Sequence, residues 1–325
     1  MIMDIKEKVI DALVDNAGSF VSGEELSRGL NVSRTAVWKY IKELKGEGYV
    51  IEAFPRKGYR VREKPDLLLP REIERYLNTS RLGKFIECHS RLDSTNRRAK
   101  ELGLQGRVEG TLVVAEEQIK GRGRLDRQWF SPRGGIWFSL LLKPLLSPYQ
   151  APLLTLLASL AGVKGVKKAT GCSLSIKWPN DLFLQGKKVA GILTEINAEM
   201  DRINFVVAGI GINANISPLY FPEDISSKAI SLMEEKGEPV SRPKVLASFL
   251  NEMEVIYNKV QEEGFEGLID EWKKYSITLD KQIEVKTPRG IIKGKAVDIN
   301  EEGALVVEKE EGGVIHLLSG DVYLR

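Results

Sequence analysis

Apolar residues at Ile5, Val9, Ala12 and Leu13 share one face of a helix, so the start of the chain is expected to form an amphipathic helix. Ser22-Gly-Glu-Glu25 then reads as a capping box ahead of a short helix that ends near Gly29 and Leu30. Asn31-Val32 supplies a turn, and Ser33 can cap a third helix. In that helix Val37, Tyr40, Ile41 and Leu44 form the inward stripe, while Arg34, Thr35, Trp38, Lys39, Lys42 and Lys45 stay outside. Gly46 and Gly48 end it. Two strand-like runs follow, YVIEAF and GYRVR, joined by Pro55-Arg56-Lys57-Gly58.

After REKPDLLLP, a proline-bounded connector at residues 62–70, the pattern changes. TLVVA (111–115), IWFSLLL (136–142), SLSIKW (173–178), KVAGILTEI (188–196) and NFVVAGIGIN (204–213) are apolar and rich in β-formers. Residues 149–170 have the length and composition of a helix packed against those strands. This succession predicts an α+β sheet domain rather than a regular βαβ repeat. Residues 240–272 read as helix, with Leu246, Phe249, Leu250, Met253 and Tyr257 as its stripe. From Ile277 onward short strands alternate with the turns PRG, EEG and EEGG, the pattern of a small SH3-like β-barrel. The expected domains are residues 1–64, 65–274 and 275–325.

Composition adds little until it is localised. The chain has 325 residues, 42% hydrophobic and 29% charged, and its net charge of +3 is too small to name a partner. Residues 28–62, however, hold nine basic residues against three acidic ones. Helix, turn, basic helix and basic hairpin together make a winged helix-turn-helix, with its third helix suited to the major groove. Arg34 and Thr35 would then reach base edges, and Lys39, Lys42, Arg56 and Lys57 would grip phosphates. The alternative is a protein–protein module with a solvated basic face.

Other classes recede. Cys88 and Cys172 are too few for a disulfide framework, and no Cys/His cluster has metal-ligand spacing. The segment MIMDIKEKVI makes a poor signal peptide, and no apolar run approaches the roughly 20 residues of a membrane span. A cytoplasmic protein without a membrane partner is expected.

Polar islands on the central scaffold carry the candidate chemistry. Asp93-Ser-Thr-Asn96 follows a strand with short hydrogen-bonding side chains, and Gln118 precedes GRGRLDRQWFSP (121–132). That loop lacks both the P-loop ending and the dinucleotide glycine spacing. Lys177-Trp-Pro-Asn-Asp181 ends a strand in a proline-forced turn. QGKKVAG (185–191) is a tight hairpin on which Lys187 and Lys188 point to opposite faces, so only one can enter a pocket. GIGIN (209–213) permits close backbone approach and ends in an amide. Singly, each island is as readily a turn, a cap or a bulge.

Together, in this order and behind a winged helix, they resemble the bifunctional biotin–protein ligase and biotin-operon repressor family over essentially the whole chain. The resemblance implies a two-step reaction. Biotin carboxylate attacks the α-phosphate of ATP, giving biotinyl-5′-AMP and pyrophosphate, and a lysine of a biotin carboxyl carrier protein then takes the acyl group. It assigns Ser94, Thr95, Asn96 and Gln118 to the biotin ring system, and Arg122, Gly123 and Arg124 to the biotin carboxylate and the phosphate. Lys188 becomes the active-site lysine, preferred over Lys187, and with Arg122 and Arg124 it forms the catalytic set. Asn180 and Asn213, with Gly121, Arg127 and Trp129, fall on the nucleotide side. Trp129 either walls the adenylate or packs beneath the loop. Asp181 is a Mg2+ or orienting carboxylate, or else a strand-end cap.

No nucleophilic side chain is required, which suits a chain whose two histidines, His89 and His316, lie outside these motifs. The family also implies operator DNA as a partner and a homodimer promoted by the adenylate. One departure concerns the loop, where Leu125 and Asp126 stand at positions that some relatives fill with basic residues or glycine. Asp126 lowers the loop's positive charge and so bears on how tightly the adenylate is kept. Three rival readings are a ligand-sensing regulator whose enzymatic core has decayed, a lipoate-type acyl ligase with an added DNA-binding domain, and a monofunctional ligase whose winged helix binds no operator.

Overall fold

In the computed structural model, residues 5–16, 18–287 and 290–325 are described, and the chain divides after Leu67 into two units. The first contains α1 (Ile5–Asp15), α2 (Gly23–Leu30), α3 (Arg34–Gly46) and a hairpin of β1 (Val50–Phe54) and β2 (Gly58–Glu63). Ser22 and Glu25 form the full capping box of α2, and Ser33 caps α3 by accepting from the Ala36 amide at 3.1 Å. Asn31, at φ +53, turns the chain between these helices. Val9, Ile10, Leu13, Leu26, Val37, Ile41 and Leu44 build the small core. In α1 Ile10 is buried, whereas Ala12 of the expected stripe is only half-buried. At the hairpin turn Gly58 (φ +103) lets the backbone pass Val21, where a Cβ would lie 2.1 Å from the carbonyl oxygen.

The second unit holds α4 (Pro70–Glu74), β3 (Phe85–His89), α5 (Thr95–Leu104), β4 (Thr111–Ala115), β5 (Ile136–Leu142), α6 (Leu153–Thr170), β6 (Ser175–Lys177), β7 (Asp181–Leu184), β8 (Lys187–Ala198) and β9 (Ile203–Ile212). Then come α7 (Glu223–Ser226), α8 (Leu232–Lys236), α9 (Arg242–Glu263) and α10 (Glu266–Lys273). The central sheet runs β3-β4-β5-β9-β8-β7-β6, with β3 and β4 parallel and the remaining pairs antiparallel. Buried along most of its length, α6 is apolar nearly all round; it packs on α9 and beneath the sheet.

Three expectations need correction. The helix at 149–170 starts at Leu153, after a 3-10 turn at Pro148–Gln150. The helix at 240–272 is two helices, because Gly264 at φ +81 leaves the helical region and ends α9. The strand at 173–178 is reduced to Ser175–Lys177, and Asp181 opens a further strand directly after the proline turn.

From Gln282 the chain forms a second antiparallel sheet of β10 (Gln282–Thr287), β11 (Gly290–Ile299), β12 (Leu305–Lys309), β13 (Val314–Leu317) and β14 (Asp321–Leu324), ordered β13-β12-β11-β10-β14. Pro288 and Arg289 of the expected PRG turn lie outside the described residues. This sheet is stitched to the central one: Trp178 donates its indole N–H to the Gly303 carbonyl at 3.2 Å, and Ile283, Val285 and Val307 join the main core. Among the described residues no helix is long and apolar enough to cross a membrane.

Candidate active site

A cavity of about 370 Å³ opens over β8 and β9, within the size range of small-molecule sites. Its floor follows from strand alternation. Gly191 pairs with Gly211 and Leu193 with Gly209, while Ala190, Ile192, Ile210 and Ile212 turn their side chains into the core. The glycines leave space that incoming side chains take. A Cβ at Gly209 would lie 1.7 Å from Asn96 Oδ1, and one at Gly211 would lie 2.4 Å from Trp129 Nε1.

One end is a polar tray at the start of α5. Ser94, Thr95 and Asn96 are buried and line it, and Ser94 makes no capping hydrogen bond. Gln118 Oε1 accepts from the Thr95 amide at 2.8 Å and from its hydroxyl at 3.0 Å, while Gln118 Nε2 donates to Ser131 Oγ at 3.0 Å. Asn96 Nδ2 donates to Glu195 Oε2 at 2.8 Å. Ser139, wholly buried on β5, places its hydroxyl oxygen 2.8 Å from Thr95 Oγ1 and 2.6 Å from Asn96 Oδ1. The side chains are therefore fixed by one another, presenting donors and acceptors of the kind a neutral ureido group needs.

The glycine–arginine loop folds back on itself as a short hairpin. The Gly123 amide donates to the Arg127 carbonyl at 2.7 Å and the Trp129 amide to the Gly121 carbonyl at 2.9 Å, around a 3-10 turn at Arg124–Asp126. Arg124 Nη1 donates to Asn180 Oδ1 at 3.1 Å and to the Gly320 carbonyl at 3.4 Å. Burial lowers the pKa of this guanidinium, against the opposing pull of Asp321 and Asp181. Arg127 pairs with Asp321 of β14 through both nitrogens of its fork. Arg122 is exposed at the rim.

Leu125 takes φ +55 while 67% exposed, so the loop turns on a left-handed, non-glycine residue; the side chain of Asp126 lies outside what is described. Leu125→Pro, which demands φ near −65°, is expected to break this turn and raise the KM for ATP roughly tenfold to a hundredfold. Leu125→Gly should keep the wild-type value, and the melting temperature of both proteins should stay within a few degrees, as steady-state assays and calorimetry would show.

Lys188 enters the cavity from the second residue of β8. Its ammonium lies 2.7 Å from Asp181 Oδ1 and 4.9 Å from the centre of the Trp129 ring. The Asp181 contact is a close ion pair rather than an aligned hydrogen bond, since that oxygen accepts none. Lys187 points away, 3.8 Å from Glu234, and is not among the lining residues. Trp129 lies on Gly191 and Gly211 beneath the loop and also lines the cavity; its buried indole N–H has no hydrogen-bond partner.

The structure thus gathers Ser94, Thr95, Asn96, Gln118, Arg122 and Gly123 around one cavity. Arg124, Arg127, Trp129, Asn180, Lys188 and Asn213 complete it. Gly121 is left out, buried where a Cβ would meet the Trp129 carbonyl at 2.4 Å. Asn213 donates to the Ile230 carbonyl at 3.2 Å and Asn180 to the Ile192 carbonyl at 2.8 Å, so both amides also hold the walls.

Several lining or supporting residues escaped sequence reasoning. Ser139 and Glu195 support the tray, Phe221, Ile225, Lys228 and Ala229 form a wall, and Asp321 arrives from the C-terminal sheet. The lone hydroxyl in the apolar run IWFSLLL was a usable signal for Ser139. The wall segment reads only as loop, although its Ile230 amide donates to the Lys188 carbonyl at 3.1 Å.

No group of three or more His, Cys, Asp or Glu side chains is placed to hold a metal among the described residues. Asp181 alone fits an ion that brings most of its own ligands on phosphate and water.

On the first unit Arg34, Thr35, Lys39, Arg56 and Lys57 are exposed, and Lys42 lies 5.6 Å over the exposed Trp38 ring. Arg34 pairs with Glu24 across the turn, and both remain largely solvated. Arg60 and Arg62 are already bound by Glu52, at 2.6 and 2.7 Å, and these two hold its carboxyl below the usual range.

Comparison with known proteins covers all three regions. Residues 88–213 match the Biotin/lipoate A/B protein ligase family, residues 6–60 an HTH domain, and residues 278–325 the Biotin protein ligase C terminal domain. The Bifunctional ligase/repressor BirA of Bacillus subtilis is 41% identical over 98% of both chains. The protein of the same name from Escherichia coli is 30% identical over 97% of this chain and 95% of its own. Among solved structures, the biotin protein ligase from Aquifex aeolicus in complex with biotin and ATP superposes with a TM-score of 0.64. It is 33% identical over 74% of this chain and 99% of its own.

Proposed function

The chain belongs to the bifunctional biotin ligase/repressor family, and on that premise we propose that its central cavity makes biotinyl-5′-AMP and delivers biotin to a carrier-protein lysine. The ureido ring lies on Ser94 and on Thr95, Asn96 and Gln118, the last three already oriented by hydrogen bonds. The biotin carboxylate points to Arg122, Arg124 and Lys188. The nucleotide lies toward Arg127, Trp129, Asn180 and Asn213. One observation carries this reading: Lys188 and Arg124 reach the same cavity as a tray of uncharged hydrogen-bonding groups.

The first step joins two anions, so positioning and charge neutralisation are the catalytic requirements. Lys188 and the arginine forks supply both without a proton transfer. Asp181 would hold a Mg2+ ion that arrives on the ATP phosphates, and that ion would offset phosphate charge. The glycine floor brings the backbone to within contact of the ligand, and the loop hairpin covers the water-sensitive mixed anhydride.

The helix-turn-helix makes the protein a DNA-binding repressor of biotin genes as well. Arg34 exchanges its solvated Glu24 for a base edge alongside Thr35, while Lys39, Lys42, Arg56 and Lys57 bind phosphates. The corepressor is the adenylate, which favours a homodimer able to span two half-sites, in the cytoplasm where the carrier protein resides. Such a ligand shifts the equilibrium only by binding the dimeric state better.

The test combines protein, biotin, Mg2+ and ATP labelled at the α-phosphate. Labelled biotinyl-AMP should appear, and carrier protein added afterwards should consume it. No adenylate under these conditions would overturn the ligase assignment. Binding to the DNA upstream of the biotin genes that is indifferent to biotin and ATP would overturn the corepressor assignment.

A further inference from the structure

The outer face of α3 carries one side chain that its basic pattern does not explain. Trp38 is 57% exposed, while Val37, Ile41 and Leu44 of the same helix are buried. A lone exposed apolar residue needs no explanation by itself. Here the neighbours supply one. Arg34, Trp38 and Lys42 recur every four residues and stand in one row, with Thr35 beside Trp38 a turn earlier. The Lys42 ammonium lies 5.6 Å over the indole, and Arg34 pairs with Glu24 of the preceding helix. Glu43, the one acidic residue of α3, is turned to Lys39 at 3.9 Å. Phe54, exposed to a similar degree, rests edge-on against Phe20 with 5.4 Å between ring centres. Beside the Trp38 ring stands a cation instead.

An apolar surface framed by cations fits a partner that is anionic at its borders and apolar at one spot. The major groove of DNA is such a surface. Phosphates border it, and the C5-methyl of thymine is the apolar group among its base edges. The scale agrees. Along the helix axis Trp38 stands about 6 Å from Arg34, and Lys42 about 12 Å; the groove is about 12 Å wide. With the Ser33-capped end of α3 foremost in the groove, Trp38 stays among base edges and Lys42 reaches the phosphate rim.

We propose that Trp38 is a base-reading residue whose indole packs on the C5-methyl of a thymine in each operator half-site, while Lys42 leaves the ring for a phosphate. The inference rests on the repressor reading above and adds to it a contact specific for thymine. Arg34 reads acceptors on the base edges through its guanidinium donors. Trp38 registers a methyl group, which offers no hydrogen bond. The stacked lysine has a use in the free protein as well, because its stem shields part of the indole from water until DNA takes that place.

The test uses the DNA upstream of the biotin genes, with biotin, ATP and Mg2+ present, made either with thymine or with uracil throughout. Uracil pairs as thymine does but lacks the methyl. Wild-type protein should bind the uracil DNA about tenfold more weakly, since each buried methyl is worth about fourfold and two half-sites are read. Trp38→Ala should bind thymine DNA at least that weakly and distinguish the two DNAs less than twofold. Its dependence on salt should keep the wild-type slope, because no phosphate contact is lost. If wild-type protein binds neither DNA, the repressor reading fails and this inference with it. If it binds, but Trp38→Ala holds thymine DNA within twofold of wild type, the Trp38 assignment fails alone and the row is left to a protein partner. The same assignment fails if wild type ignores the methyl, or if both proteins lose equally on uracil DNA. Should Trp38→Ala not fold, photo-crosslinking of wild-type protein to DNA carrying 5-iodouracil decides, the iodine standing where the methyl was. Mass spectrometry should find the crosslink at Trp38, and crosslinks only at other residues would overturn the proposal.

Discussion

Lys188→Ala is expected to lower biotinyl-AMP formation roughly a thousandfold, about 4 kcal/mol of transition-state stabilisation. Loss of one preorganised charge-stabilising donor accounts for most of that. The remainder comes from Asp181, whose ion-pair partner at 2.7 Å disappears, so that its carboxylate is no longer held in place. Lys188→Ala combined with Asp181→Asn should therefore recover nothing over Lys188→Ala alone, because the carboxylate offered to Mg2+ is lost as well. Lys187→Ala, on the opposite side of the strand beside Glu234, should change the rate less than twofold. Single-turnover measurement with labelled ATP distinguishes these outcomes, and equal effects at the two lysines would move the active centre elsewhere.

The second large effect is expected from adding a single methyl group. In Gly209→Ala the new carbon would lie 1.7 Å from Asn96 Oδ1 and 2.6 Å from its Cγ, so Asn96 must leave its place. It would give up its bond to Glu195 and its approach to Ser139, two polar contacts in a buried setting. At about 1–3 kcal/mol for each buried group left unsatisfied, biotin affinity should fall about a hundredfold or more. Calorimetric titration with biotin measures this, and circular dichroism checks that the protein remains folded. Gly191→Ala makes a milder test, because its carbon would sit 2.9 Å from the edge of the Trp129 ring.

What the chain discloses about itself depends on the range of the forces involved. Local features were legible: β4 and β5 occupy the expected residues, the Ser22 capping box is formed, and Lys187 and Lys188 part as strand alternation requires. Short-range signals misled where one residue outweighs a periodic pattern, as Gly264 does in dividing the last long helix. Long-range partners were not legible at all. Asp321 meets Arg127 across 194 positions and Asn96 meets Glu195 across 99, and neither pairing leaves a periodic trace. The tray was half visible, because DSTN announces polarity, whereas Ser139 and Glu195 matter only once β5 and β8 lie beside it.

Trp129 has an optical consequence. Trp137, Trp178 and Trp272 are buried with their N–H groups donated to protein oxygens, and Trp38 is exposed. Trp129 is the remaining indole, its N–H unpartnered and a lysine ammonium over its face. An anion that draws Lys188 off the ring changes the field at that chromophore most directly. Intrinsic emission should then follow filling of the cavity in real time without a dye, and a Trp129→Phe protein should lose most of that signal.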